Sequence, residues 1–187
     1  LPVIALESLD GGITNNSTYN LKFNVTELNP VEVKILLNGQ VVQQITEKTF
    51  DGNILLVEGT NLIQVVASDK AQNTATLNMA QLTLDTVAPV LSLNTPQAND
   101  VIITSEFDIQ GTVNEAVQSV STIGYDLLLD GNKTGFSGKV GSPINGPYTM
   151  VIEAKDLAGS TGQLSVPVDF STILNGALVM TSRGNTP

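Results

Sequence analysis

Leu84-Asp85-Thr86-Val87-Ala88-Pro89-Val90 is the stretch on which the organisation of the chain turns. One alternating apolar pattern runs into it, and a second begins just after it. Pro89 has no N–H to give to a strand ladder, and it biases Ala88 towards extended backbone. A strand that ends on an acid and restarts after a proline reads as a short, stiff joint between two domains. What lies before the joint recurs after it. Pro2-Val3-Ile4 matches Pro89-Val90-Leu91 at an offset of 87 residues (89 minus 2), and Ala67-Ser68-Asp69 matches Ala154-Lys155-Asp156 at the same offset (154 minus 67). Asn38-Gly39 pairs with Asp130-Gly131 at an offset of 92 (130 minus 38), which implies five inserted residues (92 minus 87) ahead of that turn.

Within the first half, Tyr19, Leu21, Phe23 and Val25 alternate with polar neighbours, the period of a half-buried strand. Val31, Val33, Ile35 and Leu37 form the next strand, closed by Asn38-Gly39, which tolerates the positive φ angles of a two-residue hairpin. The return strand is Val41 to Ile45, and Asp51-Gly52 reads as a turn. Ile54 to Val57, then Ile63, Val65 and Ala67, follow on either side of a turn at Glu58-Gly59-Thr60-Asn61. Leu77 and Met79 have one parity and Leu82 and Leu84 the other, which predicts a bulge near Ala80. In the second half Phe107, Ile109 and Val113 replay the second strand, and Tyr125, Leu127 and Leu129 the third. Met150, Ile152 and Ala154 replay Ile63, Val65 and Ala67, and Tyr148 falls where its hydroxyl can bond back to the backbone at a sheet corner. The pattern predicts an all-β fold: two tandem immunoglobulin-like β-sandwiches, residues 1–85 and 86–170, plus a short C-terminal tail, 171–187.

Composition narrows the function. The 187 residues are 41% apolar and only 14% charged, with 18 acids against 8 bases and a formal net charge of -10. Nucleic-acid binding needs clustered cations, and the single Arg is Arg183. There is no His, Cys or Trp, so disulfides, thiolate nucleophiles, His metal ligands and His-based triads are excluded. The lack of Cys fits a reducing interior or a bacterial surface protein built without disulfides. Neither a signal peptide nor a membrane span is expected, and a start at Leu1 reads as a piece of a longer protein.

Asp85-Thr86-Val87-Ala88-Pro89, Glu58-Gly59-Thr60-Asn61 and Ala67 to Asn73 (Ala-x-Asp-x-x-x-Asn) resemble the tandem bacterial Ig-like repeats. Such repeats build the stalks of surface adhesins and serve as accessory modules in secreted enzymes. The resemblance covers about residues 1 to 170. The second half departs from it at Gly159-Ser160 and in the Gly-rich stretch from Gly135 to Gly146. The segment from Gly176 to Pro187 is similar to openings of trimeric fibre modules, which implies a homotrimer through the tail.

In a sandwich of this type the incoming chain and two loops share one end, bringing Asp85, Glu115 and Asp156 together as carboxylate ligands for calcium. Glu27 and Asp69 are the weaker counterparts in the first half. The competing reading is that Asp69 and Asp156 close their own turns by local hydrogen bonds. No cofactor is required for folding on either reading. A glycosidase pair would need acids flanking a cleft with sugar-binding aromatics, and the chain is 4% aromatic. Sequons at Asn16, Asn24 and Asn132 are expected by chance in an Asn- and Thr-rich chain, and an isopeptide bond at Lys22 or Lys34 would need a buried Lys.

The expectation is therefore a non-enzymatic spacer in an extracellular or cell-surface bacterial adhesin or fibre. Its partners would be neighbouring domains of the same chain and a host or prey surface protein or glycan. The alternative is a ligand- or carbohydrate-binding accessory module of a secreted enzyme.

Overall fold

A computed structural model describes residues 1–8, 11–29 and 31–171. The chain divides into two compact units, Leu1–Val87 with Leu157–Ser160, and Ala88–Asp156 with the chain from Thr161 onwards. The tail reading and its trimer lie outside the described residues from 172 onwards. Every regular element among the described residues is a strand.

The first unit runs β1 (Val3–Leu6), β2 (Gly12–Thr14), β3 (Thr18–Thr26), β4 (Val31–Leu37), β5 (Gln40–Ile45), β6 (Thr49–Leu55), β7 (Gly59–Asn61), β8 (Ile63–Asp69), β9 (Thr74–Asn78) and β10 (Leu82–Leu84). One sheet has the order β1-β3-β6 and the other β5-β4-β8-β9, with β2-β10-β7 forming a short third ladder. The period-2 pattern decides which faces turn inward. Leu21, Phe23 and Val25 from β3 meet Val33 and Ile35 from β4 and Ile63, Val65 and Ala67 from β8, all at most 4% exposed. β-branched and aromatic side chains fill such half-buried pleats well.

The second unit runs β11 (Leu91–Thr95), β12 (Val101–Ile102), β13 (Glu106–Val113), β14 (Val117–Thr122), β15 (Tyr125–Leu129), β16 (Gly135–Gly141), β17 (Gly146–Asp156) and β18 (Thr161–Phe170). Its ladder is continuous in the order β11-β13-β16-β15-β14-β17-β18-β12. β15 joins the two layers: Tyr125 to Leu127 pair with β14, while Leu128 and Leu129 pair with β16. A strand that changes sheets in this way makes a corner of a sandwich. Phe107, Ile109, Val117, Val120, Phe136, Met150, Ile152 and Phe170 fill the core between the layers.

Several sequence readings are corrected. Asp51-Gly52 is not a turn but the middle of β6. A Cβ on Gly52 would lie 2.8 Å from the Phe50 ring, so this glycine makes room for a neighbour that stacks on Phe23 at 5.5 Å. The parity change near Ala80 is not a bulge. The chain leaves β9, crosses Met79 to Gln81, and starts β10 in a different ladder, parallel to β2. Glu58 to Asn61 contains a strand, β7, rather than only a turn.

The largest correction concerns the internal repeat. β4 pairs with β8 as β14 pairs with β17, so the true counterpart of the third strand is Val117–Thr122 and not Tyr125 to Leu129. The hairpin equivalent to Asn38-Gly39 (φ 50° and 80°) is Ile123-Gly124 (φ 51° and 77°). The offset is then 85 (124 minus 39), and no five-residue insertion precedes it. A β-branched residue at positive φ is an uncommon choice for such a turn, which hid it from a search for Asn-Gly or Asp-Gly. Tyr148 packs its ring on Phe170 at 5.7 Å, and among the described residues its hydroxyl makes no hydrogen bond to the backbone.

Candidate functional site

The five acidic residues singled out from sequence fall into different settings. Asp85 follows β10 in the first unit, where its backbone N–H donates to the Thr14 carbonyl at 2.9 Å and its Oδ1 accepts from the Val87 N–H at 3.2 Å. Glu115 and Asp156 belong to the second unit. Val117 is in register with Asp156, so Glu115 sits two residues beyond the pair at the same end of the sheet. Their carboxylate oxygens lie within 4.8 Å of one another. Glu115 is half-buried and Asp156, closing β17, is 1% exposed.

Glu27 and Asp69 are engaged by the chain's own donors. Glu27 Oε1 accepts from the N–H of Leu28 at 2.8 Å and of Asn29 at 3.2 Å, and the Asn29 bond is the main reason its carboxyl titrates below the usual value. Asp69 Oδ1 accepts from the N–H of Ala71 at 2.8 Å and of Asn73 at 2.9 Å, while Oδ2 accepts from Asn73 Nδ2 at 2.8 Å. The Asn73 side chain is the largest influence holding the Asp69 carboxyl low; burial opposes it, and the two backbone bonds lower it further. Three donors closing a five-residue turn are what an Asx-type loop supplies. Asp130 follows the same logic: a backbone bond at Gly135 is the largest cause of its lowered carboxyl pKa, and its Oδ1 accepts from Thr134 N–H at 3.0 Å.

Lys22 and Lys34 are both about half exposed. Lys22 lies 3.7 Å from Glu7 and from Asp51, and Lys34 is 3.6 Å from Glu32. Asn61, read only as a turn residue, is fully buried. Its amide accepts from Val57 N–H at 2.9 Å and donates to the carbonyls of Val57 at 2.8 Å and Gly59 at 2.9 Å. It is a structural plug for the β6–β7 connection.

One feature has no counterpart in the sequence reading. On the outer face of the second unit, Thr95 is in register with Gln110, Gln110 with Ser137, and Ser137 with Leu128. The four residues form one transverse row across β11, β13, β16 and β15. At about 4.8 Å per strand the row is about 14 Å long. A register shift between Leu93 and Thr95 brings Thr95 into it. The adjacent row is Asp108 and Lys139, paired at 3.5 Å. The row on the other side is Ser92, Thr112 and Gly135. A depression of about 550 Å³ is lined by Thr95, Asp108, Gln110 and Ser137. A second, of about 270 Å³, shares Gln110 and Ser137 with it, and a third, of about 530 Å³, shares Thr95 and Asp108.

Residues 2–85 match the family described as glucodextranase, domain B. No curated protein matches the chain. Among solved structures, the fibronectin(III)-like modules of CbhA from Clostridium thermocellum are similar over 91% of this chain and 96% of that one, at 14% identity and a TM-score of 0.51. An I-band fragment of titin is similar at 13% identity and a TM-score of 0.63, covering 90% of this chain and 65% of the titin chain. A mutated variant of three titin Ig domains gives 13% identity and 0.61 over the same shares. These likenesses establish an Ig-like β-sandwich fold. Among the described residues, no helix is long and apolar enough to cross a membrane.

Proposed function

We propose that this chain is a non-catalytic accessory segment of a larger extracellular protein, two Ig-like sandwiches in tandem that space or present the parts on either side. The observation that carries the reading is the match of residues 2–85 to a lettered domain of glucodextranase, a module within an enzyme. The similarity to the CbhA modules, which extends over 91% of this chain, supports it at the level of fold.

The strand pairing suits a part that transmits tension. In the first unit β2 lies parallel to β10, with Gly12 N–H donating to the Gln81 carbonyl at 3.0 Å and Asp85 N–H to Thr14 at 2.9 Å. In the second, β12 lies parallel to β18, with Asp169 N–H on the Asp100 carbonyl at 2.9 Å and Ser171 N–H on Ile102 at 2.8 Å. Each pair joins an early strand of its unit to the last one. Pulling the unit by its two ends therefore loads these bonds together, in shear, instead of one at a time.

A spacer of a bacterial cell-surface adhesin or fibre is the second reading, favoured by the Asp85-to-Pro89 pattern shared with tandem surface repeats. Deleting residues 1–171 from the full-length protein separates accessory from catalytic roles. The expected result is unchanged turnover of a small soluble substrate by any attached catalytic domain, with reduced action on polymeric or surface-bound substrate. Loss of soluble-substrate turnover on deletion, or turnover by this chain alone, would overturn the proposal.

A further inference from the structure

We infer that the row Thr95–Gln110–Ser137–Leu128 is a binding strip for a neutral polysaccharide. This deepens the accessory reading above by assigning a ligand class to one face of the second unit.

Some outward amides are tied to cross-strand partners, Gln64 to Asn78 at 2.7 Å and Gln163 to Glu153 at 2.8 Å. Among the described residues, Thr95, Gln110 and Ser137 have no such side-chain partner, although they lie side by side. Hydroxyl, amide and hydroxyl in sequence supply donors and acceptors at each step, which is the chemistry that vicinal hydroxyl groups match. Leu128, 75% exposed at the end of the row, offers an apolar surface for the C–H face of a sugar ring.

Charge sets the class of ligand. Beside the row, Asp108 and Lys139 neutralise each other at 3.5 Å; Asp130, Asp100 and Glu106, which line the flanking depressions, add only negative charge. The row itself carries no charge, and the chain as a whole carries -10, so a polyanion meets repulsion.

Shape sets its length. The middle depression shares Gln110 and Ser137 with one neighbour and Thr95 and Asp108 with the other, so the three run on along β13. A chain lying in them crosses the row at Gln110 and Ser137, with Leu128 at the row's far end. Small residues, Gly135 and Ser137 on β16, keep the floor low. An extended chain lies along such a trough more readily than a compact ligand fills it.

The test is affinity electrophoresis of the full chain in native gels containing dextran, laminarin or hydroxyethylcellulose, with alginate as the polyanion control. At least one neutral polymer should retard the protein and alginate should not. Gln110→Ala removes one or two hydrogen bonds and should weaken retardation about three- to tenfold. Gln110→Ala with Ser137→Ala should weaken it further, and Gln163→Ala, on a different face, should leave it unchanged. Thermal melts of all variants check that the fold is intact. The inference is overturned if no neutral polymer retards the protein, if Gln110→Ala behaves as the native chain, or if alginate retards it most. Such an outcome leaves the accessory reading standing, because the deletion experiment tests that separately.

Discussion

A single methyl added at Gly111 should destabilise the second unit. The glycine lies in β13, in register with Leu93 of β11 on one side and Phe136 of β16 on the other. A Cβ at Gly111 would stand 2.3 Å from Phe136 Cζ and 2.4 Å from the Ser92 carbonyl oxygen. Neither neighbour can give way easily: Phe136 is 2% exposed in the core, and Ser92 contributes backbone paired in the ladder. Overpacking a core costs about 1–3 kcal/mol, and a clash with both ring and backbone belongs at the upper end, about 2–3 kcal/mol. For a unit of this size each kcal/mol lowers the melting temperature by about 4–8 °C, so Gly111→Ala should lower it by about 10–20 °C. Gly131→Ala is the control, because nothing lies within 4 Å of its added Cβ and its φ is not positive. Its effect should stay within about 0.5 kcal/mol. Calorimetry with near-identical curves for Gly111→Ala and Gly131→Ala would refute the packing argument.

Asn61→Ala leaves Val57 N–H and two carbonyls without their buried partner, and should cost the first unit about 3 kcal/mol in a denaturant titration. Asp69 is held below its ordinary pKa by Asn73 and the loop N–H groups, so its folded pKa is lower than its unfolded one. Its contribution is complete above the ordinary carboxylate range and is lost as pH falls through the folded value, so Asp69→Ala should be less stable at neutral pH and flatter in acid. An acid limb as steep in the variant as in the native chain would remove that argument. Calcium at Asp85, Glu115 and Asp156, as expected from sequence, requires a higher melting temperature in millimolar calcium than in chelator; superimposable melts would dismiss it.

Much of the architecture was legible because the apolar period survives in the chain. Leu21, Phe23 and Val25, and likewise Ile63, Val65 and Ala67, alternate with polar residues and are all buried. What escaped depends on neighbours far away in sequence. Gly52 looks like a turn residue until the Phe50 ring is placed over it. Ile123 gives no local sign that it takes a positive φ, and so the hairpin it forms was assigned to Asp130-Gly131. β2 is three residues long, and only its parallel pairing with β10 makes it a strand. The row from Thr95 to Leu128 is invisible in sequence, because it depends on the register shift at Leu93 and on three separate strand pairings. The acids differ in this respect. Glu115 and Asp156 were placed at one end from fold logic alone, whereas the local bonds that occupy Glu27 and Asp69 needed coordinates.

Two cores that each stand alone are the heart of the account, and a 1H–15N NMR spectrum of residues 1–87 expressed by themselves addresses it most directly. The account predicts dispersed amide resonances that overlay those of the same residues in the intact chain, with slow exchange at Leu21, Phe23, Ile35 and Val65. Collapsed, undispersed resonances that sharpen into a folded spectrum only when residues 88–171 are joined would contradict it.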